Sequence, residues 1–196
     1  TAQVTNNNYL AYELRGIAYS KKGQFQRAIQ DYNKAIQFYE GIQLQHDYSS
    51  VFFNRAMAYT SLRQYQPAIE DYNKAILMNA DFAEAYNNRG RIYGQFGQYQ
   101  QAIDDFNKVI DINPEHEKAY NNRGLAFNEL RQYQNAVKDF NTAINLKPDY
   151  ANAYNSRAFS YLNLDDAKQG CSDAKRACEL GNCTILDSAK NKGICR

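Results

Sequence analysis

The chain has 196 residues, 44% of them apolar and 14% aromatic, which is enough for a sizeable core and argues against disorder. Its 23 basic and 21 acidic residues leave a net charge of +2, too small for a phosphate-binding surface and too mixed for an acidic tail, so nucleic acid is not an expected partner. No apolar run approaches the roughly 18 residues of a membrane span, and 17 Tyr beside 3 Pro and no Trp favour long helices over a turn-rich β architecture.

The opening Thr1-Ala2-Gln3-Val4 has neither a basic nor an apolar leader region. Beyond it, the stretch from Tyr12 to Gly16 returns as Phe52 to Ala56, as Tyr86-Asn87-Asn88-Arg89-Gly90, as Tyr120-Asn121-Asn122-Arg123-Gly124 and as Tyr154 to Ala158. Each copy is followed by a second pattern. Asp31-Tyr32-Asn33-Lys34-Ala35-Ile36 recurs from Asp71, from Asp105 and from Asp139, and a degraded copy runs from Asp173 to Cys178. These aspartates are separated by 40, 34, 34 and 34 residues, so the period is 34 with one six-residue insertion after the first unit.

Within a unit the apolar residues form two helical stripes. In the fourth unit Ala119, Tyr120, Gly124 and Phe127 make the first; Tyr133, Ala136, Val137, Phe140, Ala143 and Ile144 make the second. Glu129-Leu130-Arg131-Gln132 is the turn between them, and Asn113-Pro114 and Lys147-Pro148 end second helices, because proline lacks the N–H and disfavours helix in its predecessor. The expected organisation is a single domain over 1–196, with helix–turn–helix units at 9–42, 49–82, 83–116, 117–150 and 151–184. An insertion occupies 43–48 and a cap 185–196.

All four cysteines, Cys171, Cys178, Cys183 and Cys195, fall near the C-terminus and suggest two disulfides. Cys171 and Cys178 are seven apart, about 10 Å along a helix, too far to bond each other. Gly181-Asn182 reads as a helix stop and Thr184-Ile185-Leu186-Asp187 as a start, so a short last helix folds back antiparallel. That favours Cys178–Cys183 with Cys171–Cys195; Cys171–Cys183 with Cys178–Cys195 is the alternative. Zinc would need closely spaced pairs that this sequence lacks, and no C-x-x-C redox pair occurs. Disulfides imply an oxidising compartment, so the protein is expected to be exported, periplasmic or extracellular, with its signal outside this sequence.

The repeat resembles the tetratricopeptide repeat family. The family pattern has a bulky residue fourth, Gly or Ala eighth, an aromatic eleventh, Ala twentieth, an aromatic twenty-fourth, Ala twenty-seventh and Pro near the thirty-second position. The third unit matches with Tyr86, Gly90, Tyr93, Ala102, Phe106, Val109 and Pro114, and the fourth with Tyr120, Gly124, Phe127, Ala136, Phe140, Ala143 and Pro148. The second matches with Phe52, Ala56, Tyr59, Ala68, Tyr72 and Ala75, the first with Tyr12, Gly16, Tyr19, Ala28, Tyr32 and Ala35. The resemblance implies an all-α fold, a right-handed superhelical α-solenoid of five such repeats with a short C-terminal capping helix. The small eighth and twentieth residues let the two helices approach until the aromatic at twenty-four fills the gap, so Leu at Gly90 is expected to destabilise strongly.

One departure is systematic. The family usually has Leu seventh, whereas every unit here has arginine, followed 16 residues later by aspartate: Arg15 and Asp31, Arg55 and Asp71, Arg89 and Asp105, Arg123 and Asp139, Arg157 and Asp173. The expected arrangement is a partly buried ion pair joining the two helices of each hairpin. A ladder of arginines offered to an anionic ligand is the competing reading.

In relatives the concave wall is lined by the second, fifth, sixth, ninth, twelfth and thirteenth residues. Carried over, this gives Phe53, Asn54 and Met57, then Glu84, Asn87, Asn88 and Arg91, then Lys118, Asn121, Asn122 and Leu125, then Asn152, Asn155 and Phe159. An asparagine side chain accepts once and donates twice, which suits the C=O and N–H of an extended peptide. The repeated asparagines can instead be ordinary solvated residues; Phe53, Met57 and Phe159 favour a partner-anchoring face. The family's carboxylate clamp needs basic residues at the second and sixth positions of one unit and is incomplete here.

No phosphate loop, nucleophile elbow or HExxH motif occurs, and His46 and His116 fall in loops, so no catalysis, cofactor or metal is expected. Two readings follow. One is an exported scaffold that binds an extended peptide of a protein partner. The other is a structural protein that self-associates in an envelope assembly through exposed helical faces and the insertion near Tyr39 to Tyr48.

Overall fold

The computed structural model describes residues 8–41 and 47–195, all of whose regular structure is helical. Most of the insertion and His46 lie outside the described residues. Helices α1 (Asn8–Lys21) and α2 (Phe25–Gly41) form the first hairpin, α3 (Ser49–Ser61) and α4 (Tyr65–Met78) the second, and α5 (Ala83–Gln95) and α6 (Tyr99–Ile112) the third. The fourth comprises α7 (Glu117–Glu129) and α8 (Tyr133–Leu146), the fifth α9 (Ala151–Asn163) and α10 (Ala167–Glu179), and α11 (Thr184–Asn191) follows. The chain divides into two compact halves at Ile92 and Tyr93, so each is taken by itself.

The five hairpin turns share one geometry. Gly23, Arg63, Gly97, Arg131 and Asp165 occupy the same place in each repeat, and all have positive φ, between 58° and 74°. The next residue's N–H reaches back to a carbonyl five residues earlier, as from Gln64 to Tyr59 and from Gln132 to Phe127. That is the Schellman closure, which satisfies the orphan carbonyls of the first helix and reverses the chain within three residues.

In the first half the core consists of alanines around large rings. Tyr32 and Tyr72 are fully buried, flanked by Ala28, Ala35, Ala68 and Ala75, none of them exposed. Burial raises both phenols above their usual pKa, and each hydroxyl finds a partner on the facing first helix, Ser20 Oγ at 3.3 Å and Thr60 Oγ1 at 3.4 Å. Where the six extra residues separate the first two repeats, an aromatic row fills the seam. Tyr9 lies on Tyr39 at 4.4 Å, Tyr39 stacks on Tyr48 at 4.7 Å, and Tyr48 meets Phe52 at 5.6 Å. Tyr39 is buried and Tyr48 half-buried, so these two rings pack in the core of the first half.

In the second half Phe106 and Phe140 take the buried ring positions, each burial contributing roughly 1.5–3 kcal/mol. Phe140 needs no hydroxyl partner, and the residue facing it is released: Asn128 accepts from Ser160 Oγ at 2.7 Å and so ties α7 to α9. The fifth hairpin has Ala174 in place of the ring. Its core is completed by Leu186 and Ala189 of α11 and by Cys195, packed with Ala158 and Ala174. Cys171 is bonded to Cys195, and Cys178 to Cys183, with Cα separations of 5.5 and 4.0 Å. The 24-residue loop closed by the first bond contributes about 3 kcal/mol in the chain-entropy account.

At Gly16 and Gly124, two of the eighth positions, the facing ring stands too close for a side chain. A Cβ built on Gly124 would stand 2.7 Å from Phe140 Cε1, and one on Gly16 would stand 2.7 Å from Tyr32 Cε1. Gly124→Leu should therefore lower stability by about 2 kcal/mol or more, read as a shifted urea midpoint at unchanged slope.

Candidate functional site

The first helices are held in place by one repeated device. In the second repeat Arg55 donates from Nε to Asp71 Oδ2 and from Nη2 to Asp71 Oδ1, both at 2.6 Å. Arg123 grips Asp139 at 2.8 and 2.7 Å, Arg157 grips Asp173 at 2.6 and 2.7 Å, and Arg15 grips Asp31 at 2.7 and 2.7 Å. Arg89 and Asp105 belong to different halves. Every one of the five guanidinium groups also lies over the ring at the fourth position of its repeat, Tyr12, Phe52, Tyr86, Tyr120 or Tyr154, at 5.3 to 5.6 Å. A planar guanidinium makes both contacts at once, which lysine cannot.

The third donor joins one repeat to the next. Arg55 Nη1 donates to Asn33 of the preceding repeat at 2.6 Å, Arg123 Nη1 to Asn107 at 2.7 Å, and Arg157 Nη1 to Asn141 at 2.6 Å; Arg89 Nη1 donates likewise to Asn73. The motif Asp-ring-Asn thus serves two arginines, its own and the next. Sequence reading assigned the aspartates and passed over these asparagines. The signal was present, since the degraded fifth copy has Lys175 where asparagine stands in the other four, and the residue 34 places after Arg157 is Asn191 and not arginine. Among the described residues Arg15 makes no such bond to an asparagine, and 54% of its side chain is exposed against 14%, 19% and 17% for Arg55, Arg123 and Arg157.

Burial pushes the Asp139 carboxyl above the usual carboxylate range, and the Arg123 guanidinium opposes that shift. Desolvation outweighing attraction marks a pair that fixes geometry more than it adds stability. With Nε, Nη1 and Nη2 all engaged, Arg55, Arg123 and Arg157 are committed to the framework.

The residues expected on the wall fall into three groups. Phe53 lies in tilted contact with Phe82 at 4.8 Å and Tyr72 at 5.9 Å, and so packs within its own half. Asn54, Asn87, Asn88 and Asn122 are half-buried and Arg91 is exposed. Met57, Leu125 and Phe159, all at the ninth position, are 43%, 42% and 40% exposed, and Asn88 Nδ2 lies 3.2 Å from the Met57 sulfur. Asn121 is buried, with its Oδ1 unpartnered among the described residues. The fifth repeat differs, because its asparagines are already occupied. Asn155 Oδ1 accepts the backbone N–H of Ile185 at 3.0 Å, and Asn152 Oδ1 accepts from Asn182 at 2.9 Å. His116, expected in a loop, is the N-cap of α7 and accepts the Ala119 N–H at Nδ1, 3.1 Å away.

The tetratricopeptide repeat model matches residues 9–41, 49–82, 83–116 and 117–150. The chain belongs to the tetratricopeptide repeat family. The fifth hairpin, outside those matches, keeps the same Arg157–Asp173 pair and turn geometry. Among solved structures the chain is similar to MamA from Desulfovibrio magneticus RS-1 (TM-score 0.80, 18% identity, covering 89% of this chain and 95% of that one). It is also similar to another MamA protein (TM-score 0.80, 22% identity, 95% and 96% covered) and to YrrB, described as a TPR protein with an unusual peptide-binding site (TM-score 0.80, 14% identity, 95% and 93% covered). These likenesses establish the α-solenoid fold. Comparison with curated proteins returned no match. The tetratricopeptide repeat family is generally a protein-interaction module, and among the described residues no helix is long and apolar enough to cross a membrane.

Arg123→Met removes one partner of a buried pair and should cost about 3 kcal/mol in urea unfolding. Arg15→Met, at an exposed pair lacking the inter-repeat bond, should shift the same midpoint far less.

Proposed function

We propose that this tetratricopeptide repeat protein is a non-catalytic scaffold that holds an extended peptide segment of a partner along its first helices, in an oxidising compartment outside the cytoplasm. The observation that carries this reading is in the fifth repeat, where a fifth-position asparagine accepts a backbone N–H of a separate segment, that of Ile185. The same residue type stands at the fifth position of the third and fourth repeats, as Asn87 and Asn121, and at the sixth as Asn88 and Asn122. The exposed ninth-position side chains Met57, Leu125 and Phe159 add apolar contact beside the asparagines.

Two disulfides at the C-terminal end support an exported location, since reducing compartments keep such thiols apart. End-to-end self-association is less well supported. The last hairpin already packs against α11, and Tyr39 and Tyr48 are engaged in the aromatic seam.

The test is capture of partners by immobilised protein from the source cell envelope. Asn88→Ala with Asn122→Ala should release partners that wild type and Asn145→Ala, a substitution at an exposed second-helix residue, both retain. Retention by all three proteins would contradict the reading.

A further inference from the structure

Helix α11 is fastened to the fifth hairpin in two ways. Covalently it is bracketed, because Cys178–Cys183 crosses the turn that enters α11 and Cys171–Cys195 ties the segment beyond it back to α10. Non-covalently it rests on the hydrogen bonds of Asn155 with the Ile185 N–H and of Asn152 with Asn182, and on Leu186 and Ala189 packed with Ala158 and Ala174. Eight residues are too few for a helix to persist alone in water, so α11 exists only while it is docked. The surface beneath it is small: uncovering Ala158 and Ala174 exposes far less apolar area than uncovering a ring such as Phe140. What holds the hairpin itself does not involve α11. Arg157 engages Asp173 and Asn141, and Gly170 lets α10 lie against Leu162.

Both covalent ties yield to the same chemistry. Cys171, Cys178 and Cys183 are half-buried whereas Cys195 is buried, so each bond offers a sulfur to an incoming thiolate. Attack forms a mixed disulfide and expels the partner cysteine as a thiolate, which takes up a proton. The second thiol of the reductant then displaces the attacked cysteine, so each protein disulfide gains two electrons and two protons while one dithiol closes to its own disulfide. We propose that α11 is a redox-released cap: reduction of both disulfides by a dithiol undocks it from an intact fifth hairpin and frees Asn152 and Asn155. While either bond remains, α11 is held beside its seat at a high effective concentration and docks again. The undocking does not need the peptide-binding reading; only its consequence, two more asparagines open to a bound peptide, rests on it.

The test is amide hydrogen exchange, read by NMR on the full chain before and after treatment with dithiothreitol, with four alkylatable thiols marking complete reduction. Exchange in α11 should quicken at least about tenfold on reduction, while amides of α8, α9 and α10 up to Ala174 stay within about twofold of their oxidised rates. Removing the reductant and reoxidising should restore slow exchange in α11. Unchanged exchange in α11 with all four thiols free overturns the proposal, since the non-covalent contacts then hold the cap unaided. Exchange that rises in α9 and α10 together with α11, or aggregation on reduction, overturns it as well, because the disulfides then belong to the framework of the hairpin. None of these outcomes involves Asn88 or Asn122, so the cap can fail while the asparagine reading stands.

Discussion

The three-way grip of Arg55, Arg123 and Arg157 is the constraint on which the rest of this structure depends. A hairpin of two amphipathic helices packed through alanine can slide, since small side chains leave shallow ridges and little to lock the register. A bidentate guanidinium–carboxylate pair does not slide. In Arg55, Arg123 and Arg157 the pair fixes one hairpin, and the remaining nitrogen reaches the asparagine of the hairpin before it. The same contact therefore sets geometry within a repeat and between successive repeats. Burial makes the carboxylate expensive, visible in the upward displacement of Asp139, so the device trades net stability for a defined arrangement. Within each half that arrangement sets the offset between successive hairpins.

The fifth repeat is covered differently from the other four. Lys175 replaces the asparagine that would have met another arginine, and Ala174 replaces the ring that would have met another small residue. Gly170 replaces the usual alanine, and a Cβ there would stand 2.6 Å from Leu162 Cδ2. Helix α11 covers the result, held by Cys171–Cys195 and Cys178–Cys183. The crosslinks supply what a short helix of eight residues with few contacts lacks. Asn155, in register with Asn87 and Asn121, is here spent on docking that helix, as is Asn152.

Much of this was legible in the sequence because it repeats. The 34-residue spacing defined the hairpins, and the invariant offset from arginine to aspartate pointed to the ion pairs. The inter-repeat bond to Asn33, Asn73, Asn107 and Asn141 was missed because those residues read as part of a helical motif, although the loss of asparagine at Lys175 carried the information. A second internal correlation was also readable: buried Tyr32 and Tyr72 face Ser20 and Thr60, whereas Phe140 faces Asn128, which is thereby free to bond Ser160. What the register could not reveal was local occupancy. Phe53 matches a wall position yet turns into Tyr72 and Phe82, and Asn155 matches one yet holds Ile185. Those outcomes depend on neighbouring side-chain volumes and on how the C-terminal segment returns, and neither is periodic.

The most direct measurement is a double-mutant cycle across one inter-repeat bond, comparing Arg157→Met, Asn141→Ala and the double variant by urea unfolding. If arginine couples successive repeats, the two single losses exceed what additivity allows, and the cycle returns an interaction of roughly 1–2 kcal/mol. If the two effects add within about 0.3–0.5 kcal/mol, arginine secures its own hairpin alone, and the register of the array has another origin.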